Sequence, residues 1–506
     1  HLSIRRQRQM CIRDRNLAFR MDLNARENYL ELAERRESVL RLARMLSYNP
    51  RRNQASNGLL KLATVKTTEA IIDSAGINLS NTVIKWNDQA NTSYFEQIIK
   101  ILNSALPITN NIGNPLKSAS IANVITQQYR FNATNTTSAI FPYTKRVEEC
   151  GVTDFTVVNH MLLPKGFQKS VEDDYWHLNE YVQLWDVSCQ RQVQISGPDA
   201  SLLVQKMTPR SLKNMETGKC FYIPMIDENA GMINDPVLLK LDDDMFWISI
   251  ADSDILLWAK GIAVGLNLNV NIKEPDVYPL AVQGPKAEDL MASIFGEDIK
   301  KLKFFNFKVF DFLGTKQIIA RSGYSNQDGF EIYFKCFEEY FNKNEMGEKI
   351  WDIIWKAGKE FNIAPGCPNL IDRIEAGLLS YGNDFTKENN PLECNLEKYC
   401  KNETEHDYIG KKALKNINLN GVQQKLKGIM FEGNNCPPCS IPFPVYSKNK
   451  KIIGKVTSGI YSPKFKKNIG LSMILNEFCE TGTEVIVHTP DSKLREGIVS
   501  SLPFKK

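Results

Sequence analysis

RSGYSNQDGFEIYF, residues 321–334, decides how this chain is read. Two glycine turns run into a segment where Glu331 and Tyr333 alternate with Phe330, Ile332 and Phe334. Period-two alternation of this kind predicts a strand with one apolar face. Glu331 is then either the wet side of an ordinary strand or a carboxylate aimed at a ligand, and the stretch alone leaves both open.

The surrounding text sets the fold class. VQLWDVS (182–188), RQVQISGPDASLLVQKM (191–207) and KCFYIPMIDENAGMINDPVLLKLDDDMFWISIAD (219–252) mix short apolar strands with helices. GPDA places a turn before a helix, ENAGM with Gly231 predicts a hairpin turn, and GEKIWDIIWKAGKEFN (347–362) has helical spacing with a Gly near its end. Strands and helices without strict βαβ alternation predict an α+β fold. Residues 421–506, strand candidates broken by Gly and Pro, predict a C-terminal β-barrel or jelly roll.

Composition excludes several classes. A 42% hydrophobic and 24% charged chain of 506 residues, with net charge +5, is ordinary for globular protein and makes no case for nucleic acid. No apolar run approaches the roughly 20 residues of a membrane helix, and the first residues lack the apolar core of a secretory signal. A cytoplasmic location is expected. The 11 cysteines are scattered, and the one close pair, Cys436 and Cys439, precedes a strand-like SIPFPVY instead of opening a helix as a redox motif would. Five histidines, none at zincin spacing, predict no metal. Neither a phosphate loop, a GxGxxG after a strand nor a GxSxG elbow is present.

The two ends differ. Residues 1–52 hold 13 Arg and no Lys, whereas 421–506 hold 12 Lys and one Arg. Charge chemistry does not require that exchange, so different coding backgrounds are expected. An amphipathic helix is predicted over 22–46, ended by YNPRRN. DLNARENYLELAERRESVLRLARMLSYNPRRN, NGLLKLATVKTTEAIIDSAG and VITQQYRFN resemble the N-terminal part of baseplate wedge proteins of marine tailed phages. The first 15 residues resemble translated adapter sequence, so the expected organisation is an artefactual leader (1–15), a wedge-like, mainly helical or irregular segment (16–136), a catalytic region (137–420) and a terminal barrel (421–506).

Within the catalytic region the strands carry acids and aromatics: Tyr222, Asp235, Ser249, Tyr324, Glu331 and Tyr333. A carboxylate can accept paired N–H bonds from the edge of an amide-like heterocycle, and aromatic walls can cover its faces.

LWDVS, SGPDA, AGMINDPVLLKL, LAVQGPKA, ARSGYSNQDGFEIYF, IDRIEAGLLSYGNDFTKENNPLE, YIGKKAL and VTSGIYSP occur in the order of the folate-dependent aminomethyltransferase (glycine-cleavage T-protein) superfamily, which residues 138–506 resemble throughout. TVVNHMLLP, IKEPDVYPLAVQGP, KLKFFNF and GCPNLIDRIEAGLLSYGNDF resemble its dimethylsulfoniopropionate (DMSP) demethylase branch. Where typical aminomethyltransferases carry Asp-Asp, this chain has Asn234-Asp235, which agrees with demethylation.

The resemblance implies a multidomain folate-binding α+β fold of two intertwined subdomains plus the barrel. It also implies methyl transfer from DMSP to tetrahydrofolate. Glu331 would grip the pterin edge, and Tyr222, Ser249, Tyr324 and Tyr333 would line the folate and substrate. Asp235, the catalytic candidate, would take the N5 proton or orient the folate. The demethylase pattern has Trp at the Tyr324 position, so Tyr324 is a departure. Arg373 and Glu375 in IDRIEAG are expected to be structural, and Phe304, Phe305, Trp176 and Trp258 are sulfonium-binding candidates. Expected partners are DMSP and tetrahydrofolate, with no nucleic acid or membrane; a homodimer stays open. The rival expectations are a T-protein proper, a folate-binding module without turnover and a phage structural protein.

Overall fold

The computed structural model describes residues 142–335, 343–400 and 406–505. The expected leader, wedge-like segment and helix over 22–46 lie outside the described residues. No described helix is long and apolar enough to cross a membrane.

Two antiparallel sheets form the heart of residues 182–365. The first has five strands in the order Asn271–Lys273, Gln192–Ser196, Met245–Ser249, Val237–Asp242, Cys220–Tyr222. The second has six, in the order Phe307–Phe312, Thr315–Ala320, Gly329–Lys335, Val277–Gln283, Val182–Asp186, Ile363–Pro365, the last pairing in parallel. The same device leaves each sheet for its covering helix: SGPDA leads into Ala200–Lys206 and QGPKA into Ala287–Phe295. Gly284 shows why the turn needs glycine, since it sits at φ +128° and a Cβ there would lie 2.3 Å from the Tyr181 carbonyl oxygen.

Side-chain alternation then sorts each strand into an outer and an inner face. On the outer side, Phe330, Ile332 and Phe334 join Leu280, Val282, Leu290, Ile350 and Trp351 in a core under the helices Ala287–Phe295 and Lys343–Gly358. Val193, Ile195, Leu238, Phe246 and Ile248 make the matching core of the other sheet. On the inner side, Cys220, Leu239 and Trp247 of one sheet meet Val277, Ala320 and Tyr333 of the other. The strand at 329–334 is thus buried on both faces, and its polar members look at another sheet rather than at water.

The ENAGM hairpin forms between Met225–Ile226 and Met232–Asn234, with Ala230, not Gly231, in the left-handed conformation. Gly231 answers a different need: a Cβ there would stand 2.3 Å from the Lys387 carbonyl oxygen. The C-terminal domain is a closed six-stranded barrel in the order Gln424–Phe431, Lys467–Leu475, Ile452–Ser462, Phe443–Tyr446, Glu484–His488, Leu494–Ser500. Closure removes the exposed edges that separate strands would present.

Helix Leu370–Ala376 joins barrel to sheets with buried charge. Asn369 caps it through bonds to the Ile371 and Asp372 amides. Arg373 pairs with Asp384 at 2.9 Å and donates to Ser458 Oγ at 2.6 Å, while Thr457 and Ser458 donate to the same carboxylate from the barrel. Glu375 accepts from Tyr175 at 2.9 Å and from barrel Ser462 at 2.5 Å. Asp372 accepts the Asn326 amide at 2.7 Å. Arg373 and Glu375 therefore do the structural work expected of them. Arg373→Met would strand the Asp384 carboxylate and is expected to cost about 3–5 kcal/mol, read as a fall in the denaturant midpoint. A loss below about 1 kcal/mol would show that the barrel docks without this pair.

Candidate active site

Glu331 stands in the middle of the six-stranded sheet, opposite Ala281 on one neighbouring strand and Ala320 on the other. Two methyl groups beside a long side chain leave room on the inner face. The residue is 5% exposed, and its Oε2 accepts from Ser322 Oγ at 2.5 Å and from the Tyr333 hydroxyl at 3.3 Å. The Gln190 side chain also reaches the carboxylate. No cation lies within ion-pair distance among the described residues. Burial therefore outweighs the hydrogen bonds and holds the Glu331 carboxyl above its ordinary range.

A second row of bonds stands behind the first. Gln192, 1% exposed, donates its Nε2 to the Gln190 carbonyl at 2.7 Å and to Ser249 Oγ at 3.0 Å. Ser249 in turn bonds Tyr333, whose ring packs 6.3 Å from that of Trp247. Gln192, Ser249, Tyr333 and Glu331 thus form a chain of bonds that aims the carboxylate. An acid with no cation partner, kept inside at a cost of several kcal/mol, has its orientation fixed from two sides.

Asp235 anchors a second cluster. It follows the Met232–Asn234 strand, precedes Pro236, and accepts the Tyr222 hydroxyl at 2.8 Å. Burial pushes its carboxyl up to about 7; Tyr222 and a backbone N–H oppose the shift, and repulsion from Asp384 adds to it. Tyr324 feels the same charge, sits beside Arg373 and donates to the Leu379 carbonyl at 2.6 Å. Tyr381 lies within the field of Asp235, and the Tyr399 ring meets Tyr222 edge to face at 5.5 Å. Neighbouring Asn234 is fully buried and turned away: its amide donates to Ala251 and Ser253 and accepts the Ala251 N–H.

The structure thus gathers the six site residues read from the sequence into two groups: Glu331, Tyr333 and Ser249 by shared hydrogen bonds, and Asp235, Tyr222 and Tyr324 by a shared field. Strand Cys220–Tyr222 joins them, because Cys220 lies in the field of Glu331 and Tyr222 holds Asp235. Residues two apart on one strand face are about 7 Å apart, so both acids border one inner surface.

Of the four sulfonium candidates, only Phe305 packs into the layer between the sheets. Phe304 is 67% exposed, Trp258 lies on the helix side, and Trp176 lines a separate surface cavity of about 430 Å³ with His177 and Tyr181. Sequence reading missed Tyr381, Tyr399, Asp384, Ser322 and the Gln190–Gln192 support. Tyr381 and Asp384 lie in the quoted SYGNDF, whereas Tyr399 in LEKYC carries no local signal. No group of three or more His, Cys, Asp or Glu among the described residues is placed to hold a metal.

Residues 144–404 match the GCVT N-terminal domain and 425–506 the glycine cleavage T-protein C-terminal barrel domain. A domain of unknown function, DUF8360, matches 58–175, running across the junction expected at 136–137. The chain is 44% identical over 360 residues to dimethylsulfoniopropionate demethylase DmdA of Ruegeria pomeroyi, covering 70% of this chain and 96% of that protein. It is 32% identical over 352 residues to an aminomethyltransferase of Bacillus cytotoxicus, covering 68% and 92%. In fold it matches the glycine cleavage system aminomethyltransferase T of Bartonella henselae, with TM-score 0.64 at 22% identity, over 72% of this chain and 97% of that one. The chain thus shares its overall fold with that aminomethyltransferase, and it belongs to the glycine-cleavage T-protein family.

Proposed function

We propose that this chain is a tetrahydrofolate-dependent methyltransferase that demethylates DMSP to 3-methylthiopropionate, forming 5-methyltetrahydrofolate. The 44% identical demethylase supports the substrate. The observation that carries the reading is Asp235 with tyrosines around it, Tyr222 in contact and Tyr324 and Tyr381 within its field. A sulfonium is an onium cation, and such cations favour aromatic faces and a nearby carboxylate, at about 0.5–2 kcal/mol per ring.

Glu331 suits a pterin edge, because a carboxylate buried without a cation gains most from a ligand that offers it two N–H donors. Ser322, Tyr333 and, behind Tyr333, Ser249 and Gln192 hold that acid in place. Tetrahydrofolate, when bound, supplies the N5 lone pair that accepts the methyl group. The C–S bond breaks as the N–C bond forms, and its electron pair stays on sulfur as a neutral thioether. No acid is then needed for the leaving group, and positioning can supply roughly 7–11 kcal/mol of the barrier. Asp235, ionised, takes the proton that N5 loses.

Nine described cysteines carry free thiols, which supports a reducing, cytoplasmic setting. For residues 1–136 we propose a separate coding origin; a single native amplicon spanning the junction would overturn that.

The full chain with DMSP and tetrahydrofolate alone is expected to yield methylthiopropionate. Turnover that appears only with a lipoyl carrier protein would favour aminomethyl transfer instead. Glu331→Ala is expected to abolish measurable tetrahydrofolate binding in calorimetry, and near-wild-type affinity would remove Glu331 from the pterin site. Asp235→Asn should slow turnover by less than about a thousandfold, within the usual range for acid–base groups. The same variant should be more stable than wild type at pH 8. The folded-state carboxyl, at about 7, lies above its unfolded value, so the folded state holds the proton more tightly. That contribution is present at low pH and is lost as pH rises towards 7. Equal melting temperatures at pH 8, together with the wild type no less stable at pH 8 than at pH 5, would refute the buried acid.

A further inference from the structure

Arg210 takes no part in the clusters above, yet its side chain is built into their edge. Its Nη1 donates to the Tyr222 carbonyl at 2.7 Å, and its guanidinium carbon lies 4.0 Å from the Phe221 ring centroid and 4.8 Å from that of Tyr399. The loop beneath is fixed: Thr208 Oγ1 donates to the Pro224 carbonyl and accepts the Arg210 amide, and Gln205 bonds the Thr208 and Arg210 carbonyls. Stacking between two rings orients the guanidinium plane, and Nε and Nη2 have no partner among the described residues. No described carboxylate pairs with this half-buried cation, and burial lowers its proton affinity for that reason. Lys398, 4.8 Å from the same Tyr399 ring, is likewise without a carboxylate partner among the described residues.

Positive charge therefore collects one tyrosine away from Asp235: the Tyr222 carbonyl is held by Arg210 and its hydroxyl by the acid. Such a pair of opposite charges fits a short zwitterion. We infer that Arg210 is the anchor for the carboxylate of the methyl donor, with the onium end at Asp235 among the tyrosines. This rests on the methyl-transfer reading above. A planar fork with free N–H groups binds a carboxylate in a fixed orientation; that would hold the methyl carbon on line and select acids over sulfonium compounds that lack a carboxylate. Folate carries carboxylates too, on its glutamyl tail, so the test separates the two sources.

Initial rates are measured for wild type, Arg210→Met and Arg210→Lys with DMSP, with its methyl ester (which keeps the sulfonium and lacks the acid) and with varied tetrahydrofolate. Arg210→Met should raise KM for DMSP roughly tenfold to a hundredfold, the range for a charge-assisted hydrogen bond. Its rates with the ester and its KM for tetrahydrofolate should stay at wild-type values. Arg210→Lys keeps the charge and loses the fork, and should raise KM for DMSP several-fold. An unchanged KM for DMSP, or an equal loss with the ester, overturns the assignment. A rise in KM for tetrahydrofolate that disappears with a folate lacking the glutamyl tail gives Arg210 to the folate and also overturns it. Calorimetric tetrahydrofolate binding reports whether Arg210→Met is folded; if it is not, Arg210→Lys carries the same comparison. A wild-type chain that forms no methylthiopropionate from DMSP defeats the underlying reading, and the anchor with it.

Discussion

The contact on which the rest depends is the Arg373–Asp384 pair. It is buried, bonded to Thr457 and Ser458 of the barrel, and placed beside Tyr324. Buried pairs are poor sources of net stability because desolvation offsets attraction, but breaking one is costly. What the pair supplies is position. It fixes where the barrel meets helix Leu370–Ala376, and that helix fixes Asn326 through Asp372. The segment so held leads directly into the strand of Glu331. Asp384 also adds its field to Asp235. A single satisfied pair thus sets the geometry of one cluster and part of the electrostatics of the other.

Against that satisfied pair, the charges of the site are conspicuous for being incomplete. Glu331 has hydroxyl and Gln190 donors but no cation among the described residues, Asp235 has one tyrosine and a backbone N–H, and Arg210 has a carbonyl and two rings. Each would be more stable in water or opposite a counter-ion. Asp384 has four donors, from Arg373, Thr457, Ser458 and the Ser380 N–H, and the three groups left short are those to which the proposed reaction assigns ligands.

Legibility in the sequence followed periodicity. Alternation in FEIYF was readable, and so was the outward turn of Phe330, Ile332 and Phe334. That the other face is dry was not, because period two reports sidedness and says nothing about what covers a side. Only the second sheet, arriving through Cys220 and Trp247, decides it. Ser249 and Tyr333, expected to line the ligand, have hydroxyls already engaged in aiming Glu331, a relation between strands 84 residues apart in sequence that no window contains. The barrel was legible because Gly and Pro interrupt strands at short spacing. Tyr399 was not, since its importance lies in touching Tyr222.

Asn234 shows how one atom can redirect a site. Its amide donates to Ala251 and Ser253 and also accepts the Ala251 N–H, uses that require a side chain with both a donor and an acceptor. An aspartate there could keep the accepted bond but would set its second oxygen against the Ala251 carbonyl, adding a negative charge beside Asp235. Two adjacent carboxylates would raise each other's proton affinity. With asparagine, Asp235 is the one acid of the pair, its carboxyl pushed up to about 7 by burial and by Asp384 against the opposing bonds of Tyr222 and a backbone N–H. In the methyl transfer proposed above, a carboxyl so placed suits the uptake of the N5 proton, since acid–base groups work best with a pKa near the working pH.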